Sequence, residues 1–545
     1  MVCLRFLRSL LSTTKIVKNK MNYLSILLIT CTLSAGYFSF GQEPIYKWGE
    51  PVTDENLDRP IEKLLFSNDE GFYLLRGKRD LTSVVTYWIE QYDQNLKLNK
   101  TSKIEFNLGV MGESQNIEDI IATNGKMYAL ISHWSKTKAS YSLSISSLST
   151  GGELSDLGEL DAISAQKIMN SGFYNFSVSD DGSKLIVLAE LPFLKETKEI
   201  IRVSCFELSS MKLLWRQERE LDWPCEKARN NYISVDNDGS AYIFKRIWQK
   251  PEWKYALYSI EGKEKFGEKK LDFQEGREVV DYKLNFDAKN NFYLLATYSD
   301  KPSAFSKNLS GLFYATIDQP GNEPKINFQP WSTELLGKMK EKSLLTNYSL
   351  KDVLLRKDGN LNVILEQIKS EKNVVPGSQP MKYLFNYEYG NLLVLNTDIT
   401  NGQIIWDRSI LKHQKIENLE TDDPFGSVVY TMEDDNLFIL WNNTDLSIPS
   451  VPPANWTEID GTNYVKHKAF DEKTKHATFL HVIDPQGQMT YGNFKFGLPL
   501  FNLHKGAVFE MSLCSNFFFR YNNELVVMAM MHNGGKRYRF GFISF

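Results

Sequence analysis

One pattern recurs eight times along this chain of 545 residues: a short polar turn is followed directly by a run of apolar, β-favouring residues. The first four copies read LFSNDEGFYLLRG (65–77), IIATNGKMYALIS (120–132), SVSDDGSKLIVLAEL (177–191) and SVDNDGSAYIFKR (234–246). The last four read NFDAKNNFYLLATY (285–298), LLRKDGNLNVILEQ (354–367), YTMEDDNLFILWNN (430–443) and FFRYNNELVVMAMM (518–531). Asp, Asn and Gly are the residues that tight hairpin turns favour. Each copy therefore predicts a β-hairpin.

The copies lie roughly 50–90 residues apart, which leaves room for four strands in each interval and is typical of propeller blades. The eighth copy is followed by one more strand, KRYRFGFISF (536–545), and the strand IYKWGEP (45–51) precedes the first copy. Pairing these two strands closes a ring and removes both exposed sheet edges. We predict an all-β fold, a β-propeller of eight four-stranded blades closed by the N-terminal strand. A ring of seven blades with an accessory sheet is the alternative.

One family resemblance follows from the segment NTDITNGQIIWDRSI (396–410), with ELSSMKLLWRQEREL (207–221) as a weaker copy. The segment resembles the D-x-x-T-G-x-x-x-W repeat of quinoprotein-like eight-bladed propellers, with Asn401 where that family usually has Thr. The family includes pyrroloquinoline-quinone dehydrogenases and a non-enzymatic outer-membrane assembly lipoprotein. The dehydrogenases carry a vicinal cysteine pair, and this sequence has none. The resemblance therefore implies the fold and argues against quinone chemistry, so we predict no cofactor.

The N-terminal segment has the layout of a secretory signal peptide. An apolar stretch, LSILLITCTL (24–33), is followed by the small residues of SFG (39–41) before Gln42. We predict that residues 1–41 are a signal peptide with an upstream extension, and that residues 42–545 form one exported propeller domain. Its location would be the periplasm or the cell surface. An uncleaved membrane anchor and a start at Met21 are alternatives, although the apolar run is short for a membrane span.

Charge and cysteine content exclude two classes of protein. The formal charge is −4, and residues 1–41 contain basic residues but no acidic ones, so the rest of the chain is more acidic than this total. Because a nucleic-acid binder needs a basic excess, we expect no nucleic-acid partner. Beyond residue 41 the cysteines are Cys205, Cys225 and Cys514, too few for a disulfide framework. We expect no bridge between Cys205 and Cys225, and a monomeric protein.

Motifs that carry chemistry are absent from the sequence. It contains no paired-histidine zinc motif, no G-x-S-x-G nucleophile motif and no phosphate-binding loop. The turn DNDG (236–239) resembles a calcium loop but lacks the later Glu that such a loop needs. The other seven turns do not keep its carboxylates. We therefore interpret the eight turns as hairpin chemistry and predict no metal site and no catalytic residue.

Candidate binding residues lie at the end of the propeller opposite these turns. There, connections between the second and third strands of each blade are predicted to be long loops, and such loops usually carry function. The candidate ligand-binding residues are His133, Trp134, Trp248, Lys250, Trp253, Trp456 and His467. Aromatic rings beside cations suit sugar stacking or an acidic partner. The alternative is that the lysines are solvated and each Trp packs over its own blade.

Two functions remain open at this point. The first is a non-catalytic propeller that binds an envelope protein or a glycan through its long-loop face, with no stable membrane span after signal cleavage. The second is a polysaccharide-acting enzyme with carboxylates in the central funnel. A group of Asp, Glu or His side chains converging at the inner strand ends of several blades would favour the enzyme. A funnel lined by apolar and unpaired polar groups would favour the binding protein.

Overall fold

All eight polar turns join two antiparallel strands in the computed structural model. Asn124 and Gly125, with φ of 50° and 73°, adopt the left-handed conformation that tight hairpins require. In another turn, Asp236 Oδ1 accepts hydrogen bonds from the backbone N–H groups of Asp238 and Ser240, at 3.0 and 2.7 Å. The carboxylates in these turns hold backbone amides, so the hairpin interpretation is confirmed.

The structure describes most of the chain beyond the N-terminal segment. Described are residues 45–53, 60–79, 85–106, 113–227, 230–250, 252–273, 276–301, 307–379, 381–419, 425–443, 465–467, 477–494, 502–504, 507–509, 511–531 and 537–545. One compact unit runs from Tyr46 to Ile543. The chain ends form a second unit, of which Ile45, Ser544 and Phe545 are described. The predicted signal peptide and its boundary at residue 41 lie outside the described residues and stay predictions.

Two short strands come first, β1 (Ile45–Trp48) and β2 (Val52–Thr53). Four sheets of four antiparallel strands follow in chain order. Sheet 1 holds β3 (Ile61–Asn68), β4 (Gly71–Arg79), β5 (Val85–Asp93) and β6 (Leu98–Lys103), and sheet 2 holds β7 (Glu113–Thr123), β8 (Lys126–Ser135), β9 (Ser140–Leu148) and β10 (Leu154–Ser164). Sheet 3 holds β11 (Phe173–Val178), β12 (Lys184–Glu190), β13 (Lys198–Glu207) and β14 (Lys212–Pro224), and sheet 4 holds β15 (Asn230–Val235), β16 (Ala241–Gln249), β17 (Glu252–Glu261) and β18 (Lys265–Leu271).

The second half of the chain repeats this arrangement with additions. Sheet 5 holds β19 (Glu278–Phe286), β20 (Phe292–Ser299), β22 (Gly311–Ile317) and β23 (Lys325–Pro330), and the short β21 (Asn308–Leu309) pairs with β24 (Leu345–Thr346). Sheet 6 holds β25 (Tyr348–Leu355), β26 (Leu361–Val374), β27 (Tyr383–Thr397) and β28 (Ile404–Ile410), extended by β29 (Gln414–Leu419) and β32 (Val465–His467). Sheet 7 holds β30 (Val429–Glu433), β31 (Asn436–Asn443), β33 (Ala477–Ile483) and β34 (Met489–Phe494). After the pair β35 (Asn502–His504) and β36 (Ala507–Phe509), sheet 8 holds β37 (Met511–Tyr521), β38 (Glu524–Met531) and β39 (Arg537–Ser544).

The N-terminal strands complete sheet 8, as predicted. Both β1 and β2 pair with β39, and the Gly49 N–H donates to the Phe540 carbonyl at 2.9 Å. The indole of Trp48 lies so close to Gly541 that a Cβ there would clash with the ring. An edge strand that would otherwise expose its backbone is thereby covered by the other end of the chain.

Successive sheets contact one another around the fold. The contacts join β3 to β7, β10 to β12, β11 to β15, β15 to β19, β19 to β25 and β30 to β37, and β37 contacts β3 again. Sheets 6 and 7 share one apolar cluster that includes Val394 and Ile439. This closed order of antiparallel sheets confirms the β-propeller. We keep eight blades as a prediction, because the last two sheets border residues outside the description.

A buried polar residue occupies one equivalent place on the second strand of most sheets, after its apolar run. The residues at this place are Arg76, Ser132, Glu190, Lys245, Thr297, Glu366 and Asn442, and all are buried. The charged members contact partners: Lys245 Nζ lies 2.6 Å from Glu199 Oε2, and Glu366 Oε1 lies 2.7 Å from Lys412 Nζ. Buried charges persist only when they are paired in this way.

The segment from Ser332 forms a short helix, α1 (Thr333–Lys338), capped by the Ser332 side chain. Cys205 is a buried free thiol with no bridge to Cys225, as expected, and burial raises its thiol pKa to about 12. The long loop predicted between second and third strands is wrong for sheet 6, since β26 runs on to Val374 and pairs with β27. Among the described residues, no helix is long and apolar enough to cross a membrane.

Replacing Lys245 by Met should lower the free energy of unfolding by about 3–5 kcal/mol, because the buried carboxylate of Glu199 loses its cation. Chemical denaturation followed by circular dichroism measures the change. The double variant Lys245→Met/Glu199→Gln removes both charges and should recover most of the lost stability. A double variant no more stable than Lys245→Met would contradict a charge-pairing role.

His481 should make stability depend on pH. Burial lowers the pKa of this histidine to about 3, beside the ring of Trp441, whereas an unfolded histidine titrates near 6.5. Below about pH 6.5 the unfolded state therefore binds a proton at this histidine that the folded state does not bind. The free energy of unfolding consequently falls as the pH is lowered toward 3. Between pH 7 and 5 the loss should be about 2 kcal/mol. Urea midpoints of the wild type and His481→Phe test it: the variant should lack this component, and identical pH profiles would exclude it.

Candidate ligand-binding cleft

A cleft opens at the end of sheets 3 and 4 opposite the eight turns. Since the turns join first to second strands, the second-to-third hairpins and the last residues of fourth strands lie at this other end. The cleft is bordered by the ends of β14 and β18 and by the β16–β17 hairpin, and its volume is about 580 Å³. Its principal lining residues are Asp222, Trp223, Trp253, Tyr255, Lys270 and Phe273. This volume suits a small ligand or a short stretch of a chain.

The floor of the cleft is aromatic and rigid. The rings of Tyr255 and Phe273 lie 4.5 Å apart between centroids, and both side chains are buried. Trp223 is also buried, and its Nε1 donates to the Tyr258 hydroxyl at 2.6 Å. Burial raises the pKa of Tyr255 to about 12, so this hydroxyl is neutral at physiological pH. The floor therefore offers apolar surface without charge.

The rim of the cleft is charged. Lys270 Nζ lies 2.6 Å from Asp222 Oδ2 and 5.1 Å from the centroid of the Trp223 ring. Lys198 Nζ lies 3.2 Å from the other oxygen of Asp222. The hydrogen bond from Lys270 lowers the pKa of Asp222, and the same bond raises the pKa of Lys270. A ligand would meet hydrogen-bonding groups of both signs above an aromatic floor.

Trp253 joins the cleft to the next sheet. The Arg246 guanidinium lies over its ring at 5.1 Å from the centroid, and Arg246 Nη2 donates to the Val279 carbonyl at 3.3 Å. Burial raises the pKa of the neighbouring Glu278, although Arg246 and a hydrogen bond from Trp253 oppose this rise. One face of the indole is thus held by a cation, and its orientation is fixed.

One predicted site residue, Trp253, lines this cleft, and Trp248 and Lys250 lie beside it on the same hairpin. Trp248 and Trp253 are paired across β16 and β17, and their rings make an edge contact at 5.4 Å. Trp248 is 40% exposed, and Lys250 is exposed beyond the last residue of β16. The prediction that these residues occupy a long loop is wrong, because the strands continue to the Gln249–Glu252 pair and shorten the connection.

His133, Trp134 and His467 lie on strands of other sheets. His133 and Trp134 lie on β8 of sheet 2, where the strand is longer than predicted and leaves them paired with β7 and β9. His133 Nε2 lies 3.6 Å from Glu113 Oε2. His467 belongs to β32, where its backbone pairs with Ile416, and Trp456 lies outside the described residues. Ligand contact by all four remains a prediction.

Four residues that line the cleft were not predicted from the sequence: Trp223, Tyr255, Lys270 and Phe273. They lie near the ends of three strands, where the sequence predicts no long loop. The available indication was the pair Trp223–Pro224 at the end of a long alternating run, since Pro is tolerated at strand ends. Recognising it as a site would have required knowing which strand ends adjoin.

Carboxylates on the inner strands, where the enzyme hypothesis places its chemistry, have partners. Asp352 lies 3.4 Å from Lys283 Nζ and accepts a hydrogen bond from the Tyr430 hydroxyl at 2.8 Å. Asp119 forms an ion pair with Lys63 of the neighbouring sheet. In the part of the chain that is described, no group of three or more His, Cys, Asp or Glu side chains is placed to hold a metal ion.

Comparison with known proteins gives no family: no family model and no curated protein matches this chain. Among solved structures it is similar to BamB from Moraxella catarrhalis, with 10% identity and a TM-score of 0.34 over 92% of this chain and 100% of that chain. It is also similar to the WD40 domain of SCAP from fission yeast, with 9% identity and a TM-score of 0.35 over 92% of this chain and 94% of that chain. A third similar structure is the polysaccharide lyase Uly1, with 9% identity and a TM-score of 0.33 over 91% of this chain and 99% of that chain. Likenesses this distant say nothing about function, and the propeller assignment stands on the order of the sheets.

Trp248 should dominate the quenching of tryptophan fluorescence by iodide among the described tryptophans, because the others are buried or half-buried. Trp248→Phe should remove most of the quenchable fraction, measured by Stern–Volmer titration. Trp223→Phe, which removes a buried indole, is the matched control and should leave that fraction unchanged. Equal effects of the two variants would contradict the exposure of Trp248.

Proposed function

We propose that this protein is an exported, non-catalytic propeller that binds a glycan in the cleft between sheets 3 and 4. One observation carries the proposal: the exposed Trp248 and the fixed Trp253 stand beside an aromatic-floored cleft with a charged rim. Sugars present apolar C–H faces together with many hydroxyls. Aromatic rings suit the former, and paired Asp and Lys side chains suit the latter.

Rigidity supports binding at this place. Trp253 is held by Arg246, and Trp223 by the Tyr258 hydroxyl, so a ligand would not have to order these rings. Ordering interface side chains costs about 0.5–1.5 kcal/mol each, and a site that is already ordered avoids this cost. A neutral or mixed-charge glycan fits best, because the rim carries Asp222 as well as Lys270.

The alternative function is a polysaccharide-acting enzyme with carboxylates in the central funnel. Its candidates are Asp119 and Asp352, together with Glu366 on a second strand. Their ion pairs with lysines support binding over catalysis, since these carboxylate oxygens already contact other side chains of the protein. Turnover of a polysaccharide that is lost in Asp352→Asn would favour the enzyme.

The place of the protein in the cell and in its superfamily belongs to the same proposal. Export rests on the signal-peptide layout of residues 1–41 and places the cleft in the periplasm or at the cell surface. Relation to quinoprotein-like propellers is supported by the segment that resembles their repeat. Its Asp398 accepts a hydrogen bond from the Thr400 N–H at 2.7 Å, and Trp406 packs on Gly487 of the next sheet.

Binding of the mature chain to a panel of soluble and insoluble polysaccharides tests the proposal. Trp248→Ala should weaken binding about tenfold or more, the loss expected when a large exposed aromatic contact beside the cleft is removed. Affinity electrophoresis or calorimetry measures the change, and circular dichroism checks that the variant is folded.

The matched control is Ile405→Ala, an exposed apolar residue on β28 of sheet 6, which should bind like the wild type. Binding unchanged in Trp248→Ala would place the glycan elsewhere. No binding to any polysaccharide by the wild type would remove the proposed ligand class.

A further inference from the structure

Four large apolar side chains are exposed together at the loop end of sheet 3. They are Ile168, Met169, Phe173 and Leu194, with exposures of 47%, 97%, 60% and 58%. Ile168 and Met169 lie on a 3-10 turn (Ile168–Asn170) between sheets 2 and 3, Phe173 begins β11, and Leu194 lies in the connection from β12 to β13. We call these four residues the apolar loop patch. Exposed apolar groups that cluster in this way mark interaction sites.

The backbone that presents the patch is held in place. The Asn170 side chain accepts a hydrogen bond from the Phe193 N–H at 2.8 Å and donates to the Phe193 carbonyl at 3.1 Å. The Thr197 hydroxyl donates to the Leu194 carbonyl at 2.9 Å, and Thr197 accepts a backbone bond from Cys225 at 2.8 Å. The two connections are thus tied to each other and to the chain after β14.

A close approach fixes the start of β11 as well. Gly172 has a φ of 86°, and a Cβ at this position would clash with the Glu190 carbonyl. A glycine is therefore required just before Phe173. Because the backbone is ordered before any partner arrives, association loses little conformational entropy here.

Two exposed lysines lie beside the patch, and Glu226, next to one of them in the chain, is half-buried. Lys167 and Lys227 are exposed and make no ion pair among the described residues. Lys227 Nζ lies 5.8 Å from the centroid of the Phe193 ring, which places it at the border of the patch. Lys195 is paired with Glu196 at 3.0 Å and adds no net charge. An apolar surface bordered by cations fits an apolar segment flanked by acidic residues.

We propose that the apolar loop patch docks a partner protein through an apolar segment flanked by Asp or Glu. The site is separate from the glycan cleft, although the two adjoin along the chain: Trp223 lines the cleft, and Cys225 and Lys227 belong to the support of the patch. The protein would then hold a glycan and a protein side by side.

A membrane surface is the competing occupant, because apolar residues beside lysines also insert into lipid interfaces. A protein is favoured here, since an anionic lipid surface would face the net negative charge of the chain, −4, over a wide area, whereas a short acidic-flanked segment meets only the lysines beside the patch. The test therefore includes vesicles as one of its arms.

Fluorescence anisotropy with labelled synthetic peptides tests the proposal on the mature chain. The peptides share one Leu/Phe/Met centre and differ in flanks of Asp/Glu or of Lys. The acidic-flanked peptide should bind the wild type more tightly, and Met169→Glu should weaken that binding about tenfold or more. The double reversal Lys167→Glu/Lys227→Glu should shift the preference toward the Lys-flanked peptide.

Leu157→Glu is the matched control, an exposed apolar residue on β10 outside the patch, and should bind as the wild type does. Equal binding of the two peptides, or unchanged binding by Met169→Glu, would overturn the proposal. Tighter association with phosphatidylglycerol vesicles than with either peptide would assign the patch to a membrane instead. Trp248→Ala should leave peptide binding intact, so failure of the glycan proposal is distinguishable from failure of this one.

Discussion

The pairing of β39 with the N-terminal strands is the constraint on which the rest of the fold depends. A propeller is a ring, and closing it removes the sheet edges that the first and last blades would otherwise expose. At this seam the hydroxyls of Tyr92 in sheet 1 and Tyr538 in sheet 8 lie 2.6 Å apart, and the Arg76 guanidinium lies over the Tyr538 ring. Residues more than four hundred positions apart thus hold the first and last sheets together.

Turn chemistry is local, and this explains why the architecture was predictable from sequence. An Asn-Gly pair such as Asn124–Gly125 favours left-handed angles through its own chemistry, so the eight hairpins could be located without any knowledge of their neighbours. The closing strand was predictable for a related reason, since the unpaired strands at the two ends of the repeat cover each other's exposed edges when they pair. Both inferences used properties that belong to a segment itself.

The length of a strand depends on its neighbours as well as on its own sequence, and the predicted strand lengths were wrong. His133, Trp248 and Trp253 were assigned to loops, yet their strands continue because the neighbouring strands are long enough to pair with them. The cleft was missed for the same reason: Trp223 and Phe273 meet only after sheets 3 and 4 are placed side by side. The local sequence around such a residue does not identify it, because its role depends on which strand ends are neighbours in the folded protein.

The distribution of charge separates what stabilises this protein from what can bind. Charged groups between the sheets, such as Lys245 with Glu199 and Lys412 with Glu366, are buried and neutralised by each other, so they offer nothing to a ligand. Trp248 and Met169, in contrast, are exposed at the loop end, on backbones that hydrogen bonds or strand pairing already hold. The buried ion pairs stabilise the packing of neighbouring sheets, whereas these two exposed side chains contribute little to it. Substitutions at the two exposed positions therefore change the surface at the loop end without removing a buried charge pair.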